Sequence, residues 1–518
     1  MKHLFAMTLL CLGSISYATD GPTQKIGLET PTENPPNVLF ISIDDLNDWV
    51  GVLGGHPQVK TPHLDRFAGN GAVVFQNAHC PGPVCGSSRS ALLSGFLPST
   101  TGIYGNSQNM RNSKRVQQHA TLPEYFSKNG YLSISRGKIF HKHVDADGQD
   151  QGHWSFDKWE VASGGSPVDK SKITSRNRNL INGKPGPETR HSKRRGSEFA
   201  WGPTKGPKEE TKDFKTAQWA ARQLLQKHQK PFFLAVGISR PHLPFYCPQE
   251  FFDLYDPSTF KAPPIKEDDL EDILIHRKDR LKHKPSDDYL WLKENGLIDE
   301  AARAYAAATS YADACLGVIF DALERSPYKD NTIVVIWGDH GWHLGEKLRY
   351  RKATGWHEAT RVPLIVRLPN MTEGRDCYGM VNLIDIYPTL IELCGLPEKA
   401  SLDGRTFASL LKQPSQTWTH PTLTVFGEGN SSIHGDRYHF IRYKDGTEEF
   451  YDLVTDPMEW ENLAPRLTEE QKTEKQRLAE LIPKNFASPI KENDKTFNRA
   501  DFPLNQSIKA TRQLERLK

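Results

Sequence analysis

The sequence predicts a large α/β domain built on a parallel sheet, followed by a smaller C-terminal α+β domain. Three observations carry that prediction. Short apolar runs rich in β-branched residues recur in "NVLFISI", "FFLAVGI" and "TIVVIWG", and strands of this kind are buried on both faces, as in parallel sheets. Helical segments alternate with these runs, which is the signature of α/β organisation. Charged and polar residues follow directly on the ends of the runs, where open α/β sheets bind their ligands.

The elements follow in order. Residues 1–18 pair Lys2 and His3 with an apolar run from Leu4 to Leu12 and small residues near Ala18, a signal-peptide pattern too short for a membrane span. The expectation is therefore an exported protein, periplasmic or secreted, without membrane insertion. Residues 19–35 are rich in Pro, Thr and Glu and read as a flexible lead-in. The larger domain is expected over 36–411. It opens with the strand of "NVLFISIDDLN", then a helix closing near Gly69–Gly71 and a short strand in "TPHLDRFAGNGAVVFQNAHC". "TLPEYFSKNGYLSIS" and "TAQWAARQLLQKHQKPFFLAVGIS" each repeat helix, stop and strand. "ARAYAAATSYADACLGVIFDALERS" is a long Ala-rich helix before "TIVVIWGDHGWHLGE". The polar stretches Gly148–Lys212 and Lys261–Asn295 break this rhythm and read as insertions over the sheet edge. Residues 412–518 change texture: "TLTVFGEG", "RYHFIRYKDG" and "EEFYDLVTD" suggest short antiparallel strands, and a charged helical tail starts near Glu469.

Composition narrows the function. The 66 Lys+Arg and 63 Asp+Glu leave a formal charge of +3 over 518 residues, which argues against a nucleic-acid binder. Of seven cysteines, six lie beyond the leader, so this is no disulfide scaffold. The count allows one or two bridges and leaves their pairing open.

The chemistry gathers at strand ends. Asp44 and Asp45 close one strand, and Asp339 and His340 close another. Adjacent carboxylates repel unless a cation neutralises them, and oxygen donors suit Ca²⁺ or Mg²⁺. Lys138 and His141 in "GKIFH", His242 in "RPHLPF" and Lys352 in "RYRKATGW" add cationic and proton-transferring groups. Together with a divalent metal they suit a tetrahedral oxyanion ester. Cys85 lies in a Gly/Pro-rich turn before a helix, with Arg89 four residues on, an environment that lowers a thiol pKa. The glycine spacing excludes a P-loop. Cys80 and Cys85 lack a second close pair of zinc ligands.

The stretch "VCGSSRSALLSG" resembles the type I sulfatase signature, in which a cysteine is oxidised to formylglycine. It matches at Cys85, Ser88, Arg89, Leu92, Leu93 and Gly95, and departs at Ser87, where the family usually has proline. "IDDLN", "GKIFH", "RPHLPF", "GDHGWHLGE" and "NLIDIYPTLIELCGLP" follow in the family's order, and the resemblance extends from Pro36 to about Ala464. Within the family, "FQNAHCPGPVC" and "RPHLPFYCP" are most similar to the iduronate-2-sulfatase subgroup. The resemblance implies an alkaline-phosphatase-like α/β/α sandwich. It also implies one Ca²⁺ held by Asp44, Asp45, Asp339, His340 and the modified Cys85. Arg89 would stabilise the formylglycine, Lys138 and Lys352 would bind sulfate oxygens, and His141 and His242 would move protons. A hydrated aldehyde attacks sulfur with one hydroxyl, and its second hydroxyl then allows sulfate to be expelled. The implied partners are a formylglycine-generating maturation enzyme and a sulfated oligo- or polysaccharide, with uronate-containing glycans and exo action expected. Two rival readings are a phosphate or phosphonate ester hydrolase of the same superfamily and a silent glycan-binding relative with unmodified Cys85. His343 and Glu346 read as supporting residues, and Asp385 as the anchor of a buried turn.

Overall fold

Strand β1 (Asn37–Ile43) is the centre of the molecule, buried at every position. Its side chains alternate between two cores. Leu39, Ile41 and Ile43 enter one, and Val38 and Phe40 enter the other, as the two-residue period of a strand requires. The computed structural model describes residues 35–141, 155–160, 162, 167–192, 198–273 and 284–491. The expected signal peptide and all but the last residue of the lead-in lie outside them, as does the end of the tail.

The other strands of the main sheet are β2 (Val73–Phe75), β3 (Leu132–Gly137), β4 (Lys158–Glu160), β5 (Phe232–Ile238), β6 (Thr332–Gly338), β7 (Leu364–Arg367) and β8 (Arg375–Cys377). Their spatial order is β8-β2-β7-β6-β1-β5-β3-β4. From β6 to β4 all neighbours run parallel, whereas β7 is antiparallel to both β6 and β2. Helices α1 (Pro62–Gly69), α4 (Lys212–Leu225) and α5 (Ile298–Glu324) cover one face; α2 (Cys85–Ser94), α3 (Leu122–Lys128) and α7 (Ile386–Leu393) cover the other. The result is the expected α/β/α sandwich. Among described residues α5 alone is long and apolar enough to cross a membrane, yet most of it is buried inside the protein.

Register makes the site. Ile43 pairs with Ile238 on one side and Gly338 on the other, and Gly137 pairs with Gly237. Four strands therefore end level, and the residues that follow them emerge on one rim. A Cβ on Gly237 would lie 2.2 Å from the Lys138 backbone nitrogen, so only glycine lets β5 pass this close to the start of "KIFH".

The C-terminal sheet is antiparallel, in the order β9 (Thr422–Val425), β10 (Ser431–His434), β11 (Tyr438–Arg442), β12 (Glu448–Asp452). One face packs Ile433, Phe440 and Phe450 against Leu478 of α8 (Glu469–Ala479). The opposite face sends Ile441 and Tyr451 into the main core, and Val425 N–H donates to the Pro81 carbonyl at 3.0 Å.

The insertions do more than cover an edge. The first supplies β4 and most of a five-stranded sheet completed by Phe245–Pro248. Its Phe199 and Trp201, with Tyr289 and Trp291 from the second insertion, are buried in the main core. Those few aromatics anchor segments whose remaining composition is polar. Within the second insertion, the basic stretch "HRKDRLKHK" (residues 276–284) lies outside the described residues except for Lys284. All six cysteines in the described residues are free thiols.

Candidate active site

Six segments converge on the rim. Asp44 and Asp45 follow β1, Lys138 and His141 follow β3, His242 follows β5, and Asp339 and His340 follow β6. Cys85 begins α2 from the opposite layer, and Lys352 comes from the loop before α6 (His357–Thr360). The structure thus brings together every residue that the sequence singled out for chemistry.

Arg89 organises the floor. It is fully buried and bonds Asp339 Oδ2 through Nε at 2.8 Å and Asp44 Oδ1 through Nη2 at 3.2 Å. Its Nη1 donates to the Lys138 and Ile139 carbonyls at 2.7 and 3.0 Å and to Ser42 Oγ at 3.2 Å. A guanidinium presents such donors in a rigid plane, so one side chain ties the ends of β1, β3 and β6 together. Lys138 Nζ forms a close ion pair with Asp44 Oδ2, and Lys352 Nζ with Asp45 Oδ1.

Cys85 Sγ is buried in this lattice, 3.0 Å from Lys352 Nζ, 3.3 Å from His340 Nε2 and 3.6 Å from Asp45 Oδ1. Burial pushes its thiol up, but Lys138, Lys352 and His340 outweigh burial and hold it well below the ordinary thiol range. Cys80, five residues away, shows the opposite balance: burial pushes its thiol far up, with nothing cationic to offset it. Asp44 and Asp45 behave like Cys85. Burial raises both, yet Lys138, His242 and Arg89 win at Asp44, and His242 and Lys352 win at Asp45. His242 is raised: burial disfavours its charge, but Asp45 and Asp44 outweigh that, and its Nε2 lies 3.8 Å from Asp45 Oδ2. His141 is lowered by burial, against the pull of Cys85.

The donor set fits a divalent cation. One ligand atom from each of Asp45, Cys85, Asp339 and His340 lies within 4.8 Å of the others, and the same holds for Asp44, Asp45, Cys85 and His242. Asp45 Oδ2 is buried with no hydrogen-bond partner, a costly state for a carboxylate oxygen unless a cation meets it. Three carboxylates favour a hard ion. Asp45 also holds a left-handed backbone, φ 60°, which lets two consecutive carboxylates turn toward one centre.

Several residues support the site; Tyr305 and Asn106 had no sequence signal strong enough to find them, whereas Ser88 lies in the signature stretch and Trp342 in "GDHGWHLGE". Tyr305 of α5 bonds the Asp45 carbonyl at 2.7 Å and accepts from Asn47 N–H at 2.9 Å. Ser88 Oγ donates to the Asp339 carbonyl at 2.5 Å, Asn106 Oδ1 accepts from Gly86 N–H at 2.7 Å, and Trp342 lies under Lys352 at 5.2 Å. His343 bonds Thr354 at 2.7 Å, away from the donor set. Asp385 accepts the Asn382 and Arg405 N–H groups, both at 2.9 Å, and so fixes a turn.

A mixed α/β sandwich with strand-end acids and a cysteine at a helix start is the alkaline-phosphatase-like architecture, here with a C-terminal α+β domain. The sulfatase family model matches residues 36–396, and a model for the C-terminal part of N-sulphoglucosamine sulphohydrolase matches 338–484. A sulfatase of Formosa agariphila is 37% identical over 477 residues, 89% of each chain. The iduronate 2-sulfatase of Mus musculus is 30% identical over 75% of this chain and 73% of its own. A phosphonate monoester hydrolase of Agrobacterium radiobacter shares the fold, with TM-score 0.64 at 20% identity, 86% of this chain and 94% of that one. The chain belongs to the sulfatase family. It is a sulfuric ester hydrolase.

Proposed function

We propose that the chain is an exported, exo-acting sulfatase that removes sulfate from a uronate-containing glycan, in the manner of the iduronate 2-sulfatases. The observation that carries the reading is Cys85 itself, fully buried where three carboxylates meet Lys138, Lys352, His141 and His242. The family relationship to a mammalian iduronate 2-sulfatase supports the uronate.

Matured to formylglycine and hydrated to its gem-diol, Cys85 would supply the nucleophilic hydroxyl. Asp44, Asp45, Asp339, His340 and the matured residue would hold a Ca²⁺, which would supply positive charge to the sulfate oxygens. The chain's own groups do the rest. Lys138 and Lys352 are each paired with one aspartate and would turn to an incoming sulfate oxygen. Arg89 spends its donors on Asp44, Asp339 and backbone carbonyls, so it fixes the acids and leaves substrate contact to the lysines. His242, whose charged form Asp45 and Asp44 favour, holds a proton at Nε2 for the departing sugar oxygen. His141, kept neutral by burial, takes a proton from the hydroxyl of the matured residue. The required partners are a formylglycine-generating maturation enzyme and the sulfated saccharide.

Two measurements test this reading. The peptide containing Cys85 should lose about 18 Da on conversion of thiol to aldehyde. The purified enzyme should desulfate oligosaccharides that end in a 2-O-sulfated uronate and turn over aryl sulfate faster than aryl phosphate. An unmodified Cys85, or a preference for phosphate, overturns it.

A further inference from the structure

A second cluster lies between the main body and the C-terminal sheet and shares no residue with the rim site. His79 ends the short strand Ala78–His79, His357 opens α6, and His434 ends β10. One ring nitrogen from each lies within 4.8 Å of the others. His79 and His434 are fully buried and stacked at 4.0 Å; His434 also stacks on His439, its partner across β10 and β11, at 3.7 Å.

The hydrogen bonds assign these rings. His439 pairs through Nδ1 with Glu459 Oε1 and through Nε2 with Ser432 Oγ at 2.7 Å. Ser432 donates its own proton to the Gly355 carbonyl, so both nitrogens of His439 are engaged and its ring has none to spare. The other three rings have nitrogens to spare. His79 Nδ1 meets Thr422 Oγ1 at 3.1 Å, which leaves Nε2 without a partner. His357 Nδ1 and both nitrogens of His434 are also buried without partners. Four orphan imidazole nitrogens in one place is not how a protein interior satisfies polar atoms. Burial, and the repulsion of neighbouring cations and rings, keep all three neutral, the form with a lone pair to give.

We propose that His79, His357 and His434 form a structural site for a borderline-soft divalent transition metal, with Zn²⁺ the best fit. Imidazole donors select zinc and its neighbours over calcium. Zinc bonds of about 2.0–2.1 Å place tetrahedral ligand atoms about 3.3 Å apart, a contraction that ring rotations supply. Thr422 on His79 Nδ1 is the kind of outer hydrogen bond that orients a ligating ring. The ion would pin three segments: the strand leading into "CPGPVC", the loop that follows Lys352, and the C-terminal sheet.

The test uses the Cys85→Ser protein, which removes the competing thiolate, stripped with chelator and held in excess Ca²⁺ to occupy the carboxylate site. Co²⁺ titration should give visible bands of a nitrogen-ligated ion that saturate at one equivalent. Zn²⁺ should abolish those bands and raise the melting temperature. His434→Gln and His357→Gln should each weaken Co²⁺ uptake at least about tenfold, with folding checked by circular dichroism. Absence of a saturable band and of a Zn²⁺-dependent shift in the parent overturns the site, as does unchanged uptake in the variants. If His434→Gln fails to fold, the half-buried His357 supplies the deciding variant.

Discussion

The rim pocket and the histidine cluster are both buried and both gather metal-binding side chains, yet they are built on opposite principles. In the pocket nearly every charge has a countercharge: Arg89 and Lys138 on Asp44, Arg89 on Asp339, Lys352 on Asp45. In the histidine cluster the groups are neutral and the nitrogens lack partners. A charge-balanced site can exchange partners at modest cost, because a lysine released from a carboxylate finds an anion and the carboxylate finds a cation. A neutral, unpaired cluster gains only by being filled. The first arrangement suits turnover; the second suits permanence.

The contrast can be broken at several points. The largest effect belongs to Cys85→Ser, which should lower turnover at least about a thousandfold while the melting temperature stays within a few degrees. Residual activity near wild type would place the nucleophile elsewhere. Arg89→Ala should lose comparable activity and also destabilise the protein by about 3–5 kcal/mol, because it strands buried carboxylates; denaturant unfolding measures this. Lys352→Ala should cost about a hundredfold or more in kcat/KM, with stability changed far less than in Arg89→Ala. Metal removal separates the two regions. A calcium-selective chelator should abolish turnover, whereas a zinc-selective one should lower the melting temperature and spare kcat. If both chelators abolish turnover alike, the division of labour fails.

Ser87→Pro should have the smallest effect on the folded protein. Ser87 is the third residue of α2, within the first turn, where N–H groups have no intrahelical acceptor. Proline there forfeits no helix bond, so the melting temperature should move by no more than about 2–3 °C. The departure from the family pattern at Ser87 therefore bears on whether and by which route Cys85 would be matured, and mass spectrometry of the variant expressed beside different maturation enzymes reads that directly.

The same two regions differ in how legible they were. Most rim residues follow apolar strands within a few positions, so strand-end position pointed to Asp44, Lys138, His242 and Asp339 before any contact was known, whereas Cys85 and Lys352 follow no strand of the main sheet. Level register then did the assembly. The histidine cluster has no such signal. His79, His357 and His434 are separated by tens to hundreds of residues, and only the docking of β10 against the main body brings them together. Two further features escaped for related reasons. Antiparallel β7 lies between β6 and β2, and an apolar run carries no mark of direction. The first insertion's sheet depends on a few aromatics in a polar stretch, where periodicity is weak.

The burial of Cys85 sets an order of events in the life of the chain. Its side chain has no exposed surface, and the first turn of α2 is enclosed by the pocket on one side and by Gly105 and Asn106 on the other. No second enzyme can grip that segment once the sandwich has closed. If formylglycine is made, it is made on unfolded chain, in competition with folding itself. A molecule that folds first keeps its thiol for good, so a preparation's specific activity would record the outcome of that race. Slowing collapse of the sheet, rather than adding maturation enzyme afterwards, is what would change it.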